Sequence, residues 1–347
     1  MDYSGIHRPV RALVPADDSD HPIEAHPFFN ESRYIHLVDG AAGIGGWFRI
    51  GRRPNQGFAE MTVCLYLPDG QVGFMHAKPF MVAGDGLAAA GLSFQIDAAF
   101  QRMRVRYAGP LCLMPDGRAM EDPKTAFKTH PRVDCTIALQ FAAVAPAHGG
   151  ELLEADGRPY DEGEGRYFAR AHYDQSLRGS GLITVDGRCH AISGFGLRDH
   201  SWGPRIWQSI PWYRWFPCTF DERFSICLIM VRKADGEHVE TGFVHEDGEM
   251  LHVHDIELET DYDAQRYPTG FRLRCRDERG RAYAIEGETL NAVPCRHVRA
   301  LPDGAADTTR IMESMTRYTC NGKVGYGLAE YMDHVSDGEF EGMRAGY

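Results

Sequence analysis

No run of about 18 apolar residues occurs in the 347-residue chain, so an ordinary membrane-spanning helix is excluded and no stable membrane insertion is expected. No Gly-x-Gly-x-x-Gly follows a strand and opens a helix, and neither a P-loop nor a strand–helix rhythm is present. A dinucleotide or nucleoside triphosphate cofactor is therefore not expected. Basic charge is also scarce: 37 Lys and Arg stand against 49 Asp and Glu, a net charge of −12. Nucleic acid and anionic membrane surfaces want clustered cations, so neither is expected as partner. The basic stripes that exist, such as Arg102, Arg104 and Arg106, alternate with apolar residues and read as solvated strand faces. The nine cysteines are odd in number and scattered singly, with no Cys-x-x-Cys. Cys64, Cys135, Cys227 and Cys275 sit inside apolar alternations, where Cys acts as a small hydrophobe. With no secretory leader visible after Met1, a reduced, cytoplasmic location is expected.

What is present is β-pattern. Ala59, Met61, Val63, Leu65 and Leu67 alternate with Phe58, Glu60, Thr62, Cys64 and Tyr66, and Met103, Val105 and Tyr107 oppose the Arg102–Arg106 stripe. Phe271, Leu273 and Cys275 oppose Arg272, Arg274 and Arg276. Period-two alternation with one charged face marks antiparallel strands with one side in a core. Turn signals punctuate them: Pro68-Asp69-Gly70, Asp116-Gly117, Asp156-Gly157, Asp186-Gly187, Asp235-Gly236, Asp247-Gly248, Pro302-Asp303-Gly304 and Asn321-Gly322. So long a meander closes into barrels or stacked sheets to remove its edges. Helical patterns are few, one at Asp122–Lys128 after Pro123 and a turn or strand end at Leu328–His334. Residues 1–30 read as an arm. Pro, Gly and acidic residues gather in Ala145–Arg166, which divides the rest into β-units over 31–150 and 151–347. The join between two such units is a favoured place for a small-molecule pocket.

The chemistry gathers in Gly194–Arg205, Gly-Phe-Gly-Leu-Arg-Asp-His-Ser-Trp-Gly-Pro-Arg, and in the tryptophans behind it. Trp202, Trp207, Trp212 and Trp215 are four of the five in the chain, with Tyr213 among them. Asp199 and His200 are adjacent, so on a strand they point to opposite faces. Whichever meets the tryptophans is desolvated, its pKa shifting up for the acid and down for the imidazole, and it becomes a usable proton donor or acceptor near neutrality. Asp199 is the expected general acid/base and His200 its partner or second proton carrier. Arg198 and Arg205 would orient Asp199 or a substrate oxygen, and the alternative is that they simply pair with Asp199 at a strand corner. Trp202, Trp207, Trp212, Tyr213 and Trp215, with Trp47 from an aromatic–basic strand end, are the expected substrate-binding set. Glu330 and Tyr331 read first as closing-strand residues returning towards the pocket. His252 and His254 share one strand face, but a lone His-x-His is a weak metal signal, and no metal is expected. No Gly-x-Ser-x-Gly nucleophile elbow occurs.

These motifs carry a resemblance. Glu31-Ser32, Gly43-Ile44-Gly45-Gly46-Trp47-Phe48-Arg49-Ile50-Gly51, Pro54-Asn55 and the Arg198–Arg205 motif resemble a bacterial two-domain family similar to the AttH-like and carotenoid 1,2-hydratase superfamily. That resemblance runs from about Asn30 to Val335 and is specific at Arg198–Arg205. It implies an all-β double lipocalin-like barrel with few short helices, a hydrophobic ligand cavity between or within the barrels, and no metal or redox cofactor. Its relatives include hydratases, cyclase-like and Diels–Alder enzymes, and the positions that match are Asp199, His200, Trp202 and Arg205. The expected function is a cofactor-independent lyase, hydratase or isomerase acting on a hydrophobic terpenoid, steroid or lignin-type aromatic molecule. The alternatives are a non-catalytic carrier of a hydrophobic ligand and, third, a metal-dependent enzyme using His252 and His254. A homodimer is the assembly to test.

Overall fold

The structure, a computed structural model, describes residues 10–81, 87–161, 163, 168–301 and 304–347. Residues 1–9 of the predicted arm, 162 and 164–166 of the predicted linker, and Pro302 and Asp303 of one predicted turn lie outside the described residues.

Strands β1 (Phe29–Asp39), β2 (Ile44–Arg53), β3 (Phe58–Tyr66), β4 (Val72–Ala77), β5 (Arg102–Met114), β6 (Arg132–Ala143), β7 (Ala171–Val185) and β8 (Arg188–Pro204) follow one another up and down. Each pairs antiparallel with the next, and β8 returns to β1, so the ring closes. A second ring repeats the plan with β9 (Trp212–Asp221), β10 (Phe224–Arg232), β11 (His238–Glu246), β12 (Glu249–Tyr262), β13 (Pro268–Asp277), β14 (Ala282–Ala300), β15 (Ala306–Cys320) and β16 (Lys323–Ser336). Here β16 closes on β9. The protein is therefore all-β with two antiparallel barrels, as expected. Closure gives every barrel strand a partner on both sides.

The turns follow from their residues. Asp186-Gly187, Asp247-Gly248 and Asn321-Gly322 hold positive φ at both positions (51° and 74°, 51° and 87°, 51° and 75°), the tight hairpin whose twist matches its strands. Asp116-Gly117 departs from the expected hairpin. Asp116 accepts the Arg118 N–H at 2.8 Å and opens a short 3-10 helix, Gly117–Glu121. Asp122 then caps the helix Pro123–Thr129, which matches the expected helical pattern. Leu328–His334 is not a turn but lies inside β16.

The division expected at 150/151 is corrected by the pairing. β7 and β8 complete the first barrel, which runs to Pro204, and the second begins at Trp212. The Gly- and Pro-rich stretch after Ala145 is a connection along the first barrel, where His148–Leu152 pairs with β7. Composition of this kind marks an exposed connection, not the end of a sheet. The Arg198–Arg205 motif thus closes the first barrel instead of opening the second.

Alternation decides what each barrel wall faces. Ile35, Leu37, Phe48, Ile50, Met61, Val63, Val105, Leu139 and Leu177 fill the first bore, and Phe216, Ile226, Leu228, Val253, Phe271 and Tyr318 fill the second. The opposite parity is apolar as well where the barrels meet. Tyr34, Val38, Trp47, Cys64, Tyr66 and Phe74 of the first pack with Tyr213, Trp215, Phe243, Ile311, Met315, Leu328 and Met332 of the second. Both bores are filled by buried apolar side chains, and a large cavity lies between the barrels.

Candidate functional site

That space is a cavity of about 660 Å³, within the ~300–1,000 Å³ usual for small-molecule sites. Trp47, Phe74, Phe127, Phe168, Trp207, Tyr213, Trp215, Ile229 and Val231 supply an apolar wall. Charged groups converge on it from both barrels.

On the first barrel, β7 and β8 pair Asp174 directly opposite Asp199 and His172 opposite Ser201. Two carboxylates side by side on one sheet face repel. His172 relieves this: its Nε2 contacts Asp199 Oδ2 and lies 3.6 Å from Asp174 Oδ1. Burial alone would lower the His172 pKa, but the two carboxylates outweigh it and raise it to about 9. Burial pushes the Asp174 carboxyl upward, against the pull of His172. Asp174 Oδ2 also accepts from the Cys227 thiol at 3.5 Å, and Cys227 Sγ from the Trp215 indole N–H at 3.2 Å. A polar relay therefore crosses the barrel join from Trp215 to Asp199.

On the second barrel, Trp215, Glu330 and Glu313 stand side by side on β9, β16 and β15. Both carboxyls line the cavity, and burial pushes each up to about 8. For Glu330 the nearby Asp199 charge adds to that push. Glu313 Oε2 accepts from the Tyr34 hydroxyl at 3.1 Å. Two carboxylic acids held neutral at pH 7 thus face the His172–Asp199 pair.

Gly203, with φ of 115°, adopts a backbone conformation that side chains rarely allow and sits between Ser201 and Arg205. Beyond it the Arg205 guanidinium donates to Ser201 Oγ at 2.9 Å and to the Phe168 carbonyl at 2.8 Å, and packs over Trp207.

The site residues expected from sequence separate by strand parity. Asp199, Arg205, Trp47, Trp207, Tyr213 and Trp215 line the cavity. Arg198, His200 and Trp202 point the other way, into the end of the first barrel. There His200 Nε2 lies 3.0 Å from Glu31 Oε1, Trp202 stacks on His21 at 3.9 Å, and Arg198 pairs with Asp18 at 2.8 Å. Trp212 belongs to the second bore. His200 does not stand beside Asp199 as its partner. His172 does, and it reaches Asp199 only through the register of β7 on β8. Glu330 lines the cavity, whereas Tyr331 turns into the bore against Phe216. Glu313 and Asp174 escaped sequence reasoning, and Arg49 was read only as part of an aromatic–basic strand end. Their signal was an acid or arginine inside a strand apolar on both faces, as in Ile311-Met312-Glu313-Ser314-Met315.

Among the described residues two groups have donors of the right type for a metal ion within 4.8 Å of one another: His21, Glu31 and His200, and His172, Asp174 and Asp199. In the first, the guanidinium of Arg52 contacts Glu31 and that of Arg33 lies 3.6 Å away, so cations already hold the carboxylate. In the second, a divalent ion would have to displace the His172 proton. His252 and His254 join no such group among the described residues, and His254 pairs with Asp255 at 3.0 Å.

The same fold of two barrels is found in solved structures of low sequence identity. A provisionally assigned AttH from Nitrosomonas europaea superposes with a TM-score of 0.60 at 17% identity, covering 94% of this chain and 98% of that one. CghA gives 0.56 at 11% identity over 95% of each chain, and kievitone hydratase from Nectria haematococca 0.54 at 12% over 88% of each. Within that fold the chain belongs to the family described as Domain of unknown function (DUF7064), whose model matches residues 14–335. No curated protein matches it by sequence. No helix among the described residues is long and apolar enough to cross a membrane.

Proposed function

We propose that this protein is a lyase of the hydratase type, or an isomerase, that moves protons on a hydrophobic terpenoid, steroid or aromatic substrate held between its barrels. One observation carries the reading: two buried carboxyl groups, Glu313 and Glu330, raised to about 8 by burial, line the same apolar cavity as the His172-held Asp199. A carboxyl kept protonated near neutrality can serve as a proton donor. Glu330, protonated and with no ion pair within 4 Å among the described residues, is the proton donor. Asp199, held by His172, is the acceptor, and His172 replaces His200 as its partner. Trp215, Trp207 and Trp47 give faces that stabilise developing positive charge on a protonated alkene. The chain itself supplies the groups such a reaction needs, and the fold relatives named CghA and kievitone hydratase are consistent with it.

The test is isotopic. Wild-type protein in D₂O is offered terpenoid, steroid and prenylated phenol alkenes, and products are read by mass spectrometry for carbon-bound deuterium or added water. One class should exchange, and Asp199→Asn and Glu330→Gln should each slow it by roughly 10²–10⁴-fold, the contribution of one placed proton carrier. An apolar molecule that co-purifies while no class exchanges deuterium would make the protein a carrier instead.

A further inference from the structure

One corner of the cavity holds hydrogen-bond donors that nothing among the described residues accepts from. Arg49 Nη2 and Trp207 Nε1 are both buried without a partner among the described residues, and both residues line the cavity. The Arg49 guanidinium lies 5.5 Å from the Trp207 ring centre, so the two donors share one neighbourhood. An unsatisfied buried donor is costly, more so when charged, and calls for an acceptor.

The chain prepares this corner. His297 stacks on Trp207 at 4.4 Å and 14°, fixing the indole plane. Arg49 lies against Gly51, two residues on and on the same strand face. A Cβ there would meet Nη2 at 2.6 Å, so glycine leaves room for the guanidinium. Charge is unbalanced in the same direction. Arg49, Arg53 and Lys78 share a single carboxylate, Glu60, at 3.2, 3.9 and 3.3 Å. Among the described residues Glu313 and Glu330 form no ion pair within 4 Å, although both line the same cavity.

Resting on the lyase reading, we infer that the substrate is a hydrophobic carboxylic acid, whose carboxylate binds Arg49 Nη2 and Trp207 Nε1. Two neighbouring donors can serve the two oxygens of one carboxylate, and a guanidinium is a cation suited to that pairing. The apolar body then extends from this corner towards Glu330 and Asp199.

Matched probes test it without turnover. Retinoate and retinol share one terpenoid body and differ in the carboxylate. In fluorescence titrations of the full chain, retinoate should bind at least tenfold more tightly than retinol. Arg49→Met should cut that ratio below threefold, Arg49→Lys should leave it intermediate, and Trp207→Phe should lower it while retaining the ring. If Arg49→Met fails to fold by circular dichroism, Trp207→Phe decides. A wild-type ratio near one, no binding of either probe, or a ratio unchanged in the folded variants overturns the inference. Preference for retinoate without any deuterium exchange would leave the carboxylate corner standing and remove the lyase reading. Exchange without the preference would remove only the corner.

Discussion

Glu313, Glu330 and His172 are titrating groups whose ordinary charge states the fold has reversed or reinforced. Both glutamates are raised from 4.5 to about 8 by burial, so the folded protein holds protons that the unfolded chain releases. Their contribution to stability is complete below pH 4.5 and is lost as the pH rises through about 8. His172, raised from 6.5 to about 9 against its burial by Asp174 and Asp199, acts in the same sense: complete below 6.5, lost through about 9. Urea unfolding should therefore show stability falling between about pH 4.5 and pH 9, and the double variant Glu313→Gln, Glu330→Gln should flatten part of that fall. Activity that needs the Glu330 proton should decline with an apparent pKa near 8. A profile flat across this range in the wild type would refute the assignment. At this scale the alternation of Asp199 and His200 was readable, since adjacent strand residues must diverge. Which of them met the cavity was not, because that depends on which wall faces the other barrel.

The decisive element is the segment before β1. Its 3-10 turn, Pro15–Asp18, buries Asp17 and Asp18 at the open end of the first barrel. Asp18 pairs with both Nη atoms of Arg198 at 2.8 and 3.1 Å and accepts from the Tyr173 hydroxyl at 2.8 Å and the Phe100 N–H at 2.6 Å. Arg198, His200 and Trp202 thus anchor a plug. Half of a motif that looked catalytic is structural, and Arg–Asp–Trp closure of a corner is part of its use. Removing one partner of a buried pair leaves the other charge stranded, at a cost of about 3–5 kcal/mol. Asp18→Ala should lose stability of that order in urea titration, while Asp18→Leu combined with Arg198→Leu should recover much of it. A loss under about 1 kcal/mol for Asp18→Ala would mean the plug does not hold the barrel. Residues 1–30 read as an arm from composition, but this buried aspartate gives no local signal.

The two barrels share one apolar wall. Tyr213, Trp215, Phe243, Ile311, Met315, Leu328 and Met332 leave water only because the first barrel covers them. Hydrogen bonds cross the join too, from the Ser176 to the Ser225 hydroxyl at 2.8 Å and from Thr219 Oγ1 to the Gly196 carbonyl at 3.2 Å. Thermal unfolding of the full chain should accordingly be a single transition. Residues 212–347 produced alone should self-associate through the uncovered wall, a large contiguous apolar patch being adhesive. Light scattering would check this, and a monomeric, folded fragment would show that the barrels are independent. Turn dipeptides and period two were enough to read a long all-β meander that closes into barrels or stacked sheets. The boundary between them was misplaced because nothing local in the Gly- and Pro-rich stretch after Ala145 tells which sheet the following strand joins.

The sequence by itself determined the β class, the hairpin turns and the aromatic-rich motif, since each depends on residues two to a dozen apart. Only the tertiary structure decided that the cavity lies between the barrels, that Asp199 works with His172, and that Glu313, Glu330 and Arg49 share its wall. Those pairings join residues 27 to well over 100 positions apart through strand register and barrel contact, and no local pattern encodes either.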